Sequence, residues 1–82
     1  MVKQLQKVLE KIIVPYYEGI MYVEVTHLGT HQNWYRVIYY IVPPLISKFA
    51  FEIMEETVTI YRMIGDTGGD IFVEFEDFKD DK

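Results

Sequence analysis

The stretch LISKFAFEIMEETVTIYRMI, residues 45–64, decides the fold of this chain, because it reads two ways. Leu45, Ile46, Phe49, Ala50 and Ile53 recur at helical spacing, and Pro44 stands where prolines suit a first helical turn. Phe49, Phe51 and Ile53 also alternate as a strand would, and Glu55-Glu56 at a helix carboxyl end would oppose the helix dipole. Helix is the adopted reading for 45–56, with strand kept as the alternative. Thr57 to Ile64 is rich in β-branched residues and reads as a strand.

Downstream, Asp70 to Glu76 alternates Ile71, Val73 and Phe75 against Phe72, Glu74 and Glu76. Pairing it with Thr57–Ile64 through a turn at Asp66-Thr67-Gly68-Gly69 lands both apolar sets on one face. A period of two demands that agreement, since a slip by one residue would bury Glu74 and Glu76. Asp and Gly at those turn positions suit a type I turn. The triplet Asp66-Thr67-Gly68 resembles the catalytic loop of aspartic proteases, above all the small dimeric retroviral kind. That resemblance covers residues 66–70 and implies one catalytic aspartate per subunit. Gly65 stands where the family has an apolar residue, and fourteen residues follow Gly68 where the family needs a flap and a threading strand. The stretch is read as a hairpin turn.

Upstream, Leu5, Val8, Leu9, Ile12 and Tyr16 recur at i, i+3, i+4 spacing opposite Lys3, Lys7 and Lys11, so Val2 to Tyr17 reads as an amphipathic helix. Pro15 ends or kinks it near Val14, and Gly19 marks the exit. Ile20 to Leu28 alternates as a strand. Trp34 to Val42 is apolar or aromatic on both sides, with Arg36 its lone charge, so it wants cover on both faces and reads as the central strand.

The expected fold is α+β: an N-terminal helix on an antiparallel sheet of four or five strands, with a second helix entertained at 44–56. Residues 1–76 form the single domain and 77–82 an acidic C-terminal tail. The helix would cover an inner face of Met21, Val23, Val25, Val37, Tyr39, Val58, Ile60, Ile71, Val73 and Phe75. The outer face would carry Tyr22, Glu24, Trp34, Arg36, Ile38, Tyr40, Tyr61, Phe72, Glu74 and Glu76, the composition of an interface centre with a polar rim.

Charge and composition narrow the function. Residues 1–65 hold six acids and six bases, whereas residues 66–82 hold seven acids and two bases, so the net charge of −5 arises entirely in the last segment. Such a chain repels phosphate backbones and attracts basic surfaces, and direct nucleic-acid binding is not expected. With no cysteine, disulfides and thiolate metal sites are excluded. His27 and His31 lack a third ligand in the pattern, and no phosphate loop or nucleophile motif is present, so no catalytic residue, metal or cofactor is expected. The longest apolar run is broken by Pro43-Pro44 and is too short to span a bilayer. The chain is therefore expected to be soluble and cytoplasmic.

The expected function is a small, acidic, non-enzymatic interaction or regulatory module acting through the aromatic sheet face. The partner would be a second copy of the chain or a basic protein, as for an inhibitor from a virus or other mobile element. The alternative is a small-molecule or catalytic site formed where two copies meet.

Overall fold

A computed structural model describes residues 2–28, 34–42, 47–64 and 69–78. The order is α1 (Val2–Ile12), a 3₁₀ turn (Val14–Tyr16), β1 (Ile20–His27), β2 (Trp34–Ile41), α2 (Ser47–Ile64) and β3 (Asp70–Asp77). The three strands form one mixed sheet in the order β1-β2-β3, and both helices pack on one of its faces. The fold is α+β, with three strands in place of four or five.

The local chemistry explains each element. In α1 the fully buried positions are Leu5 and Leu9, and Ile13 continues the row just beyond the helix. This i, i+4, i+8 stripe excludes Ile12, expected to cover the sheet, and Tyr16, which shares its helical spacing; both are exposed. The helix stops before Pro15, which sits in the 3₁₀ turn, and Gly19 takes φ 101°, a left-handed value that favours glycine. Antiparallel pairing of β1 with β2 sets Val23 against Tyr39 and Val25 against Val37. A bulge between Ile20 and Tyr22 inserts Met21 as an extra residue, so Ile20 is buried and Met21 faces solvent, contrary to the expected inner face. β2 is the central strand, as its two apolar sides require.

The largest correction concerns residues 57–64. They are helix, the second half of α2, and the hairpin with residues 70–76 does not form. The strand alternative falls with it for residues 47–56, the described part of that stretch. Within α2 the buried positions are Ile53, Thr57 and Tyr61, one helical row. The threonines fit because their hydroxyls donate to carbonyls four residues back, Thr57 Oγ1 to Ile53 O at 2.6 Å and Thr59 Oγ1 to Glu55 O at 2.9 Å. Glu55 and Glu56 lie mid-helix rather than at its end, and Arg62 occupies the last turn, where a cation suits the dipole. Consequently β3 pairs with β2 in parallel, and α2 is the crossover that parallel pairing needs. Residues 65–68, with most of the expected turn and the Asp66 triplet, lie outside the described residues, as do residues 43–46 ahead of α2.

One cluster joins both helices to the sheet: Leu5, Leu9 and Ile13, then Val23, Val25, Tyr35, Val37, Tyr39 and Ile71, then Ile53 and Tyr61. Val58, Ile60, Val73 and Phe75 are half-buried against it. Among the described residues the one buried polar side chain besides the tyrosines is Thr57, whose Oγ1 lies 2.6 Å from the Tyr39 hydroxyl. Thr57 has a single proton and directs it at Ile53 O, so Tyr39 is the donor. Burial holds the Tyr39 hydroxyl well above the usual phenol range. Among the described residues no helix is long and apolar enough to cross a membrane.

Candidate interaction surface

Strand alternation and the two registers define the second face of the sheet. Tyr22 opposes Tyr40, Glu24 opposes Ile38, and Thr26 opposes Arg36 across β1 and β2. Trp34 pairs with Asp70, Arg36 with Phe72, Ile38 with Glu74 and Tyr40 with Glu76 across β2 and β3. The face thus brings together Tyr22, Glu24, Trp34, Arg36, Ile38, Tyr40, Phe72, Glu74 and Glu76. Tyr61, grouped with them on the sequence, does not belong. It lies on α2, is 5% exposed, and packs on the Tyr35 ring at 6.0 Å in the inner layer. Its misplacement follows directly from reading 57–64 as a strand.

The outer residues are held by one another. The Tyr22 and Tyr40 rings stack at 4.5 Å with planes 21° apart, and Trp34 meets Phe72 at 5.6 Å. Arg36 donates twice to Glu74, from Nε to Oε2 and from Nη2 to Oε1, both at 3.0 Å. This planar fork is the geometry that guanidinium and carboxylate share, and it raises the Arg36 pKa above its already high ordinary value. The Tyr40 hydroxyl donates to Glu24 Oε1 at 2.9 Å. That bond, with desolvation and the Glu24 charge behind it, pushes the Tyr40 pKa up to about 12. Ile38 sits between these pairs and is 8% exposed, although no described element lies over it. By contrast Tyr22 is 45% and Phe72 40% exposed, large apolar rings open to solvent.

Phe78 was missed on the sequence, which placed it in the tail. Its ring meets Tyr22 edge-on at 6.1 Å, and its N–H donates to Ile41 O at 2.6 Å. The signal was available: Phe78 continues the parity of Phe72, Glu74 and Glu76. Gln6 was also missed, and no local pattern marks it. Its amide joins α1 to the β1 edge, donating to Val23 O at 2.6 Å and accepting from Val25 N–H at 2.9 Å.

The face is acidic. Among the described residues Glu24, Asp70, Glu74 and Glu76 set four carboxylates against the single guanidinium of Arg36, a net of −3. Among the described residues no group of three or more His, Cys, Asp or Glu side chains is placed to hold a metal ion. His27 ends β1 with its ring 5.2 Å from Tyr35, and His31 lies outside the described residues. Asp70 accepts from the Ile71 N–H at 2.8 Å, a local turn-like contact. Hollows on the described surface run along the helices, one beside Lys3, Lys7 and Glu10, another beside Phe51, Met54 and Glu55. No protein-family model, curated protein or solved structure matches the chain.

Proposed function

We propose that the chain is a small, non-enzymatic interaction module whose outer sheet face docks a basic protein. The observation that carries this reading is an aromatic sheet face left bare by both helices and edged by carboxylates. Tyr22, Trp34, Tyr40 and Phe72 supply rigid contact area, and Tyr, Trp and Arg are the residues that dominate binding energy at interfaces. The net of −3 on the face adds electrostatic steering toward a positive surface. In this role the module would act by occupying a basic surface, as a regulator or inhibitor does.

A second copy is the weaker occupant on grounds of charge. Face-to-face pairing would bring two acidic surfaces together, and like charges at close range cost several kcal/mol in an interface. The area is small for either occupant. Three strands of eight residues, about 4.8 Å apart with about 3.3 Å per residue, span on the order of 400 Å². A standard interface takes about 800 Å² per partner. A small-molecule or catalytic site between two copies gains no support from the geometry, because the Glu24 and Glu74 carboxylates are already engaged by Tyr40 and Arg36.

The test is affinity capture from the native host with the parent and with Phe72→Arg, followed by identification of retained proteins. The expected result is a protein of high isoelectric point, released by salt and lost with Phe72→Arg. A captured protein that Phe72→Arg retains equally would overturn the reading. So would light scattering that finds a dimer abolished by Tyr40→Glu, which would hand this face to self-association.

A further inference from the structure

The two edges of the sheet are finished differently. β1 is one edge and β3 the other. At the centre of β1, the Gln6 amide donates to Val23 O and accepts from Val25 N–H. Those are the two points where a neighbouring strand would accept and donate, so a side chain from α1 takes the place of a strand. β1 is closed to further pairing there.

β3 has no such cover among the described residues. Because Phe78 N–H bonds to Ile41 O, the even-numbered residues of β3 turn their peptide groups toward β2. Alternation then sends the N–H and C=O of Ile71, Val73, Phe75 and Asp77 to the free edge. Ile71 N–H is met by Asp70 Oδ1. Val73, Phe75 and Asp77 have no backbone partner for these groups among the described residues. A second observation points the same way. The side chains of Val73 and Phe75 face the core yet stay half-buried, so the apolar layer is incomplete at this edge.

We propose that the basic partner adds an extended segment to β3 as a fourth strand. The proposal rests on the outer-face reading and names how that surface is completed, since added edge contacts supply area the face alone lacks. Charge selects the occupant. An antiparallel second β3 would set acid against acid, Asp70 or Glu74 across from Glu76 depending on register, and like charges across strands are destabilising. A segment alternating basic and apolar residues fits instead. Its basic side chains would stand beside Asp70 and Glu76 on the outer face, where Glu74 is already held by Arg36, and its apolar ones beside Val73 and Phe75 over the core. Main-chain hydrogen bonds would supply affinity and the alternating side chains specificity, as in strand addition generally.

The experiment uses the full chain and a capped octapeptide of alternating lysine and valine, followed by amide hydrogen exchange in NMR. At free peptide about ten times Kd, exchange at Val73, Phe75 and Asp77 should slow about tenfold, whereas Val25, already bonded to Gln6, should not change. Two further peptides carry N-methyl groups on every valine or on every lysine. An antiparallel added strand points its valine N–H groups at β3 and a parallel one its lysine N–H groups, so one methylated peptide should lose binding and the other keep it. Equal binding by both methylated peptides would overturn the proposal. Peptide that shifts Tyr22, Trp34 and Phe72 without protecting Val73 and Phe75 would also overturn it, while leaving the outer-face reading intact. No binding at millimolar peptide sinks strand addition as well, and the Phe72→Arg capture then judges the outer face separately.

Discussion

Tyr39 and Tyr40 are neighbours in the chain and occupy opposite worlds. Tyr39 points into the layer between sheet and helices, fully buried, its hydroxyl satisfied by Thr57. Tyr40 points outward, stacked on Tyr22 and bonded to Glu24 at the surface. The same contrast holds along all three strands. Residues of the inner face meet Leu5, Leu9, Ile13, Ile53 and Tyr61 from two helices, whereas the outer face carries lateral contacts along the sheet, such as Tyr22 with Tyr40 and Arg36 with Glu74. Burial against a second layer is what stabilises a domain of this size, and lateral contacts on an open face contribute far less. The inner face therefore sets stability, and the outer face is free to carry recognition.

Substitutions on the two faces break or sharpen that division. Leu9→Ala removes a fully buried side chain from the inner layer and should destabilise the domain by about 2–5 kcal/mol. Phe72→Ala, on the outer face, should cost about 1 kcal/mol or less, the scale of an exposed aromatic pair. Urea unfolding of the two variants measures both. Equal losses would mean that the outer face is as covered as the inner one, and the comparison would fail.

A subtler test stays within the inner layer. Thr57→Val keeps the shape of the helix row but leaves the buried Tyr39 hydroxyl without an acceptor. The expected cost is about 1–3 kcal/mol, the penalty for an unsatisfied buried donor. Adding Tyr39→Phe should recover most of it, because the stranded hydroxyl is then gone. A double variant as unstable as Thr57→Val alone would show that Thr57 acts by packing and not through this bond.

The contrast between faces was largely legible in the sequence, and its source was the period of two. Parity alone places Tyr22, Glu24, Trp34, Arg36, Ile38, Tyr40, Phe72, Glu74 and Glu76 on one side, and the registers agree. Parity does not choose a strand's partner, which is why an antiparallel hairpin from 57–64 satisfied the same pattern as the parallel pairing with β2. The error in 57–64 has a physical cause. Thr57, Val58, Thr59 and Ile60 lean toward strand by a few tenths of a kcal/mol each, a weak prior that tertiary packing overrides. The row Ile53, Thr57, Tyr61 at spacing four was the competing signal, and burial of that row decided the outcome. Gln6 was illegible for another reason: its partners, Val23 and Val25, are adjacent to it only after α1 has docked.

The smallest expected effect concerns the outer face and its pH dependence. Tyr40 has an ordinary pKa of 10.0, raised to about 12 first by its hydrogen bond to Glu24. In the folded chain the phenol thus holds its proton at pH values where the unfolded chain has released it. The stabilisation is fully present below pH 10 and is lost as the pH rises toward about 12. Tyr39 is raised as well, by burial first, so the parent has at least two tyrosines contributing to alkaline loss of stability. Tyr40→Phe removes one and leaves the other. The urea midpoint of the parent should therefore fall more steeply than that of Tyr40→Phe between pH 10 and 12, and the two should run parallel between pH 7 and 9. Parallel behaviour through the alkaline range would show that the Tyr40–Glu24 bond does not persist in solution. The outer face would then be looser than its lateral contacts suggest, with Tyr22 and Tyr40 free to rearrange around a partner.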